Sequence, residues 1–268
     1  MLPNTNFPPI LRDKLHDQPS EFSPESLLRE ARRQRALSHV SAPAICILDP
    51  DGDIVRHLRR TGEGQLDPAW ACYHSEMYRF MRDGREYGIV GCAVGASYAV
   101  LVAEQMFASG CQLFVSITSS GQLKPLGPPP YFILIDRALR DEGTSYHYLP
   151  PSEYAEADAA LIALVAPALT QVGEPVEHGG TWTTDAPFRE TAGAIEAAAA
   201  KGLLAVEMEA AALYAFARAK NQPVLCFAHV TNQMGREGDF EKSEANGAPA
   251  AIQLVQAVSG AWVTANSN

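Results

Sequence analysis

The chain has 268 residues, of which 47% are hydrophobic and 19% charged, and its formal net charge at pH 7 is −10. This composition is typical of a globular protein and argues against a disordered one. The acidic excess argues against a nucleic-acid backbone or an anionic membrane as a partner. No apolar stretch approaches the roughly 20 residues that a membrane-spanning helix needs.

The N-terminal residues and the cysteines favour a cytoplasmic location. The first residues, MLPNTNFPPILRDK, lack the basic-then-apolar order of a signal peptide. The five cysteines are an odd number, are widely spaced and include no CxxC pair. This pattern is typical of reduced thiols, and no Cys/His spacing suits zinc. We therefore expect neither disulfide bonds nor a metal site.

Residues 1–42 differ in composition from the rest of the chain and are predicted to form an N-terminal arm. They are rich in proline and then in charged residues. A helix is predicted from Pro24 to Ala36, because Ser23 is a good N-cap and proline is favoured in the first helical turn. We expect the arm to pack on the domain formed by residues 43–268 or on a neighbouring subunit.

From Ala44 onward, patterns typical of strands and of helices alternate. Strands are predicted within AICIL, EYGIVGCAV, CQLFVSI, YFILI, PVEHGGTWTT, LLAVEM and PVLCFAHV. Helices are predicted within DIVRHLRR, ASYAVLVAEQMFASG, residues 154–169, MEAAALYAFARAK and residues 248–262. The alternation predicts a single α/β domain with a central mixed sheet flanked by helices on both faces.

Several of the predicted strands end in polar or small residues. In α/β sheets a ligand binds at the loops beyond the strand ends. The sequence therefore predicts one composite pocket built from residues 49–53, 118–121, 181–185, 207–209 and 231–233.

Two carboxylates, Glu207 and Glu209, flank Met208 where an apolar strand enters an alanine-rich helix. A carboxylate offers two acceptor oxygens and suits the paired hydroxyl donors of a sugar diol. The alternative is a carboxylate that only caps the start of the helix. Both interpretations place these side chains at the strand-to-helix junction.

Five segments follow one another in a distinctive order. They are Gly52-Asp53-Ile54-Val55-Arg56, residues 95–110, residues 116–121, residues 180–185 and VEMEAAALYAFA at 206–217. Their order and spacing, from about residue 44 to residue 262, resemble the nucleoside phosphorylase family that includes bacterial hexameric purine nucleoside and uridine phosphorylases. The resemblance implies a phosphorylase/hydrolase-like fold and cleavage of an N-glycosidic bond.

The resemblance also implies roles for individual residues. Gly52, Arg56 and Ser119 would bind phosphate, the glycine through close backbone approach and the arginine through its forked charged donors. Glu209, aided by Glu207 and Met208, would hold the ribose. The residues implied as catalytic are Glu209, Asn232 and Arg56.

The base pocket is implied by the segment around residue 182. Trp182 falls where purine-specific relatives have a stacking aromatic, although ordinary core packing is the alternative. The other residues implied to bind the base are Thr183, Phe188, Arg189 and Asn232. An asparagine can donate a hydrogen bond to a leaving base but cannot deliver a proton. Asn232 therefore favours a 6-oxopurine or a pyrimidine over adenine.

Three positions depart from the family pattern. Ser116 and Tyr73 fall where relatives place additional phosphate-binding arginines, which leaves Arg56 as the one clear cation. His16 matches poorly the histidine that relatives send across a subunit boundary to the sugar 5′-hydroxyl. His147 and His229 are interpreted as structural.

The sequence thus predicts reversible phosphorolysis of a nucleoside to a free base and a (deoxy)ribose 1-phosphate. Inorganic phosphate would be the co-substrate, with no metal or organic cofactor. By resemblance we expect a homo-oligomer, either a dimer or a hexamer. Two alternatives remain open: a nucleosidase of the same fold that uses water, and a non-catalytic nucleoside-binding protein.

Overall fold

In a computed structural model, which describes residues 7–231 and 244–267, ten strands form one mixed sheet. The strands are β1 (Ile45–Asp49), β2 (Gln65–Leu66), β3 (Met77–Arg82), β4 (Arg85–Gly91), β5 (Leu113–Gln122), β6 (Tyr131–Asp141), β7 (Tyr154–Glu156), β8 (Val176–Thr184), β9 (Ala205–Glu207) and β10 (Val224–Val230). The helices are α1 (Pro24–Arg35), α2 (Asp53–Thr61), α3 (Ala96–Ala108), α4 (Ala159–Leu169), α5 (Ala192–Ala200), α6 (Ala210–Lys220) and α7 (Ala248–Asn266). None of the helices in these ranges has the length and apolar character needed to cross a bilayer.

The sheet combines a closed ring of strands with an open extension. Its order is β10-β6-β8-β9-β5-β1-β4-β3-β2, and β10 also pairs with β5, so that β5, β9, β8, β6 and β10 close on themselves. Strand β1 runs parallel to both β4 and β5, whereas β9 runs antiparallel to β5. The mixed sheet predicted from the sequence is confirmed.

Side chains of β1 alternate between two hydrophobic cores, as the two-residue period of a strand requires. Cys46 and Leu48 pack with residues of α3 and α6 in one core. Ile45 and Ile47 pack with residues of α2, α4 and α7 in the other. Helices therefore cover both faces of the sheet, as predicted.

The helix of the N-terminal segment begins and ends close to the predicted residues. The Ser23 hydroxyl accepts the Ser26 amide at 3.2 Å, and the helix ends at Arg35 with Ala36 in the left-handed region. Leu28 and Ala31 are fully buried against Ala71 in a small separate cluster. The helix therefore packs on the rest of the chain, whereas the division between an arm and a domain at residue 42 stays a prediction.

The prediction of one helix over residues 154–169 is wrong in its first part. Tyr154–Glu156 is strand β7, which pairs antiparallel with β6. The helix begins only at Ala159, because the Asp158 carboxylate accepts the amides of Ala160 and Leu161 and caps it. The sequence analysis also missed β3, which carries two arginines, and α5, an alanine-rich helix without a periodic apolar stripe.

Candidate functional site

The carboxylate of Glu207 lies at the N-terminus of α6 and is fully engaged by the protein. The Thr181 and Thr183 hydroxyls donate to its Oε1, and the amides of Glu209 and Ala210 donate to its Oε2 at 2.7 Å each. Burial raises the pKa of Glu207, and the Thr183 hydroxyl and the helix amides lower it again. The structure thus gives Glu207 the capping role that the sequence left as the alternative, with no oxygen left over for a sugar.

Glu209 is buried at the same junction but is only half satisfied. Its side chain is 1% exposed, and its Oε1 accepts the Gly95 amide at 2.7 Å. Its Oε2 is buried and finds no hydrogen-bond partner in the described part of the chain. The pKa of Glu209 is raised to about 8; burial is the largest cause, followed by the charge of Glu207, and the Gly95 amide acts in the opposite direction. A buried acceptor without a donor is costly, so this oxygen is suited to receive a ligand hydroxyl.

Two neighbouring elements frame Glu209. Gly95 is the N-cap of α3 and has φ +94, a region that side chains rarely adopt, so glycine is needed to present this amide. The side chain of Thr118, on β5, lies within hydrogen-bonding reach of the Glu209 carboxylate and thereby lowers its pKa. The hydroxyls of Ser116 and Ser120 lie on the same face of β5 and are also buried without a described partner. This face of β5 is therefore unusually polar for a core.

The loop between β1 and α2 is held by its own first carboxylate. Asp49 is buried and accepts the amides of Gly52 and Val55 at 3.1 and 2.9 Å. The pKa of Asp49 is raised to about 7, and burial is the largest cause. The Val55 amide acts in the opposite direction, and the charges of Asp51 and Asp53 add to the increase. Gly52 has φ +78, and a Cβ there would lie 2.5 Å from Cys92 Sγ, so the turn requires glycine.

Arg56 extends from the first turn of α2 towards solvent. Its Nη2 donates to the Asp53 carboxylate at 2.6 Å and to the Asp51 carbonyl at 2.7 Å. The side chain is 56% exposed, and the hydrogen bond that it donates to Asp53 raises its pKa. The side-chain Nδ2 of Asn246 donates to the same Asp53 oxygen, a contact that the sequence analysis did not predict. Arg56 is therefore a charged, accessible donor at the mouth of the loop.

Ser119 connects β5 to this loop. Its amide donates to Asp51 Oδ2 at 2.8 Å. The structure thus brings together the three residues implied to bind phosphate, Gly52, Arg56 and Ser119. The charge of Asp51 also contributes to the raised pKa of Glu209, the residue predicted to hold the ribose. Asp51 falls within residues 49–53 of the predicted pocket, but the sequence analysis assigned it no individual role.

The residues that the resemblance implies as base ligands differ in how far the protein buries them. Trp182 is 5% exposed, donates its indole N–H to Asp141, and packs against Val206 and α5. The ring is covered by protein, which agrees with core packing, and stacking of a base on Trp182 stays a prediction. Thr183 is fully buried and bonds to Glu207 and to the Ala211 amide, and its role at the base stays a prediction as well.

Three further residues are implied to bind the base, Phe188, Arg189 and Asn232, and one further residue, Met208, is implied to bind the ribose. Phe188 is fully exposed and Arg189 is exposed on the turn Pro187–Arg189. Met208 is half-buried between the two glutamates. Asn232 lies outside the residues that the structure describes.

The two positions at which relatives place arginines, Ser116 and Tyr73, carry no charged side chain in this chain. Ser116 is 1% exposed within β5. Tyr73 is partly exposed, and its hydroxyl donates to Gln34 of α1. With Cys92, Tyr73 lines a cleft of about 560 Å³ beside the β1–α2 loop. A groove of about 620 Å³ between α4, α6 and α7 contains none of the predicted site residues. Within residues 7–231 and 244–267, no group of His, Cys, Asp and Glu side chains could hold a metal ion.

The three histidines considered from the sequence all make contacts within the protein. His229 stacks on Phe132 and lies 2.9 Å from Glu174, which fits a structural role. His147 lies 3.3 Å from the Lys14 ammonium. His16 Nε2 lies 3.1 Å from the Tyr146 carbonyl, so it is engaged within its own chain.

Comparison with known proteins gives a family and a fold. A family model described as the phosphorylase superfamily matches residues 44–259. A guanosine phosphorylase from Halorubrum lacusprofundi is 26% identical over 168 residues, which are 60% of this chain and 70% of the relative. A crystal structure of uridine phosphorylase from Vibrio fischeri ES114 is 19% identical, with a TM-score of 0.69 over 82% of this chain and 93% of the other. The same enzyme complexed with 6-hydroxy-1-naphthoic acid has a TM-score of 0.68.

Proposed function

Because the chain belongs to the phosphorylase superfamily, we propose that it is a nucleoside phosphorylase, a pentosyltransferase that releases a free base and a (deoxy)ribose 1-phosphate. The observation that carries the proposal is the buried, unpartnered Oε2 of Glu209 beside the loop that holds Arg56. One acceptor for sugar hydroxyls and one donor for an anion thus lie on adjacent elements. This is the pairing that phosphorolysis of a nucleoside needs.

The proposed chemistry breaks the bond between C1′ and the base nitrogen, whose electron pair leaves with the base. A phosphate oxygen held by Gly52, Arg56 and Ser119 then forms the new bond to C1′. Glu209 holds the sugar hydroxyls, and Glu207 positions Glu209 by capping α6. Catalysis comes from positioning and from electrostatic stabilisation of separated charge, without a covalent enzyme intermediate. Phosphate is the co-substrate, and the reaction uses no metal or organic cofactor.

The proposed base is a 6-oxopurine or a pyrimidine, in which Asn232 donates a hydrogen bond to the departing base. Support comes from the asparagine itself, which cannot protonate a leaving adenine. The named relatives, a guanosine phosphorylase and a uridine phosphorylase, belong to these two base classes. Phe188 and Arg189 are proposed to close over the base, because they are exposed on a short turn after β8. We also retain a homo-oligomer, a dimer or a hexamer, as part of the proposal.

A nucleosidase is the second candidate, and the composition of the anion site favours it. Among the residues described at the site, Arg56 is the cation nearest the loop, whereas Ser116 and Tyr73 carry no charge. Water would then replace phosphate as the acceptor. The two candidates differ in one measurable requirement, which is added phosphate.

A nucleoside panel with and without phosphate separates the candidates. We expect inosine, guanosine or uridine to release its base only when phosphate is present. Chromatography of the free bases measures this release. Equal base release in phosphate-free buffer would identify a nucleosidase, and no release under any condition would indicate a binding protein.

Substitution of Glu209 tests the ribose contact. Glu209→Ala is expected to reduce kcat/KM at least about 100-fold, because the variant loses the acceptor for the sugar hydroxyls in a desolvated site. Glu196→Ala, on the exposed face of α5, is the matched control and should retain activity. Circular dichroism of both variants checks that the fold is kept, and near-normal turnover by Glu209→Ala removes Glu209 from this role.

A further inference from the structure

Asp51 lies among the three residues proposed to bind phosphate. Its Oδ2 accepts the Ser119 amide at 2.8 Å, and its backbone carbonyl accepts Arg56 Nη2 at 2.7 Å. Gly52, the next residue, gives its amide to Asp49. Three of the donors proposed for phosphate, the Ser119 amide, Arg56 Nη2 and the Gly52 amide, therefore already face acceptors of the Asp49–Asp53 loop. A phosphate entering this loop meets donors that are already engaged.

The charge of Asp51 contributes to the pKa values of two other carboxyl groups, those of Asp49 and Glu209. Burial is the main cause of the raised pKa values of Asp49 and Glu209, which are about 7 and about 8. The charge of Asp51 raises both pKa values further. The hydrogen bond from Ser119 places the carboxylate between the β1–α2 loop and β5, the strand that also carries Thr118 next to Glu209.

Local folding does not explain why an acidic side chain stands at this position. The carboxylate of Asp49 already accepts the amides that shape the turn, and Gly52 supplies its left-handed backbone. Asp51 itself is half-buried, with its side chain directed across to β5. A carboxylate that accepts a backbone amide resembles one edge of a bound phosphate in shape, charge and hydrogen bonding.

We infer that the Asp51 carboxylate is an internal anion that occupies part of the phosphate subsite and competes with phosphate for the Ser119 amide. Asp51 thereby determines the strength of phosphate binding in this chain. Phosphate binds only when the carboxylate leaves the amide, and repulsion between the two anions weakens the complex. The inference rests on the proposed function, since that function supplies the phosphate subsite.

Calorimetric titration of inorganic phosphate into the full chain tests the inference. Asp51→Asn keeps the shape of the side chain and an acceptor for the Ser119 amide but removes the charge. We expect its Kd for phosphate to be lower than that of the wild type by about tenfold or more, tenfold being about 1.4 kcal/mol. Asp51→Gly should change the Kd in the same direction. Asp13→Asn removes the same charge from the exposed arm and should leave the Kd unchanged.

The titration contains no nucleoside, so it is independent of turnover. Tighter phosphate binding by Asp51→Asn supports the inference even when no nucleoside is cleaved, which would overturn the proposed function alone. Phosphorolysis with an unchanged or higher Kd in both Asp51 variants overturns the inference and leaves the proposed function standing. Absence of phosphate binding by wild type and variants alike also overturns it.

Discussion

Glu209 has one oxygen that is hydrogen-bonded and one that is not, in a position with almost no access to water. Proteins rarely leave a buried acceptor unpaired, because its desolvation is then uncompensated. The pKa of Glu209 is raised to about 8, mainly by burial, which favours the neutral acid below that pH. In the proposed function, sugar hydroxyls that donate to Oε2 favour the carboxylate instead.

The titration of Glu209 predicts a pH dependence of folding stability. Its pKa is about 8 in the folded chain and 4.5 as the reference value. The folded chain therefore holds an extra proton between these values, and the free energy of unfolding falls as the pH rises from about 4.5 to about 8. Asp49, with a pKa of about 7, acts in the same direction. The midpoint of urea unfolding should accordingly be lower at pH 9 than at pH 5.

Glu209→Gln isolates the contribution of this residue. The amide keeps an acceptor for the Gly95 amide but cannot ionise, so the stability of the variant should fall less steeply across this pH range. Glu196→Gln, which changes an exposed side chain, should retain the slope of the wild type. Parallel slopes for Glu209→Gln and the wild type would show that Glu209 does not titrate as described.

Single residues also show the limit of motif matching. Gly52, Arg56 and Ser119 were singled out by their resemblance to a phosphate-binding motif, and the structure brings them together around one loop. The burial of Trp182 was not predicted, since it depends on contacts with Val206, which is distant in sequence, and with α5, which was not predicted. A motif identifies a position in the chain, and the packing around it decides whether a ligand can reach the side chain.

At the scale of elements, the junction of β8, β9 and α6 holds the site together. Thr183 on β8 donates to Glu207 at the end of β9 and accepts the Ala211 amide in the first turn of α6. This hydroxyl connects three elements at a buried point. The position of Glu209 depends on it, although Thr183 touches no ligand in the proposed chemistry.

Thr183→Val is expected to destabilise the chain by about 1–3 kcal/mol, because the isosteric side chain leaves the Ala211 amide without its acceptor and Glu207 without one donor. The free energy of unfolding in urea measures this loss. Thr264→Val, at an exposed position of α7, is the control and should change stability by less than about 0.5 kcal/mol. Equal stabilities of the two variants would show that the junction tolerates loss of the hydroxyl.

Elements differed in how well the sequence predicted them. Helix α2 and strands β1, β5 and β10 have clear apolar patterns and lie close to the predicted residues. Strand β7 is three residues long and precedes a strong helical pattern, so the pattern of α4 was extended over it. Strand identity at such a short segment comes from pairing with β6, which no local pattern encodes.

At the scale of the whole molecule, the N-terminal segment is coupled to the rest of the chain through α1. Leu28 is fully buried against a cluster that includes Ala71 and Ala108. Arg35 of the same helix donates to the Cys72 carbonyl. These contacts predict that the arm and the sheet unfold together.

Leu28→Ala should therefore lower the stability of the entire chain by about 2–5 kcal/mol, the usual range for a buried leucine replaced by alanine. A single urea transition, seen both by circular dichroism and by tryptophan fluorescence, should shift as a unit. Leu15→Ala, also in the N-terminal segment but exposed, should leave the transition where it is. An early separate transition in Leu28→Ala would show that the segment folds independently.

The sequence by itself determined the α/β class and the order of most elements, because these depend on composition and local periodicity. The phosphate-loop and glutamate segments were singled out by their resemblance to a family, and their roles stay predictions. Only the tertiary structure decided that Glu207 caps a helix while Glu209 keeps an acceptor without a partner. The two side chains are chemically the same and two residues apart, and they differ only in the groups that other elements bring to them. Those groups are the hydroxyls of Thr181 and Thr183 for Glu207 and the Gly95 amide for Glu209. The same holds for Asp51, whose partner Ser119 lies 68 residues away. Hydrogen bonds between distant segments leave no trace in a local pattern.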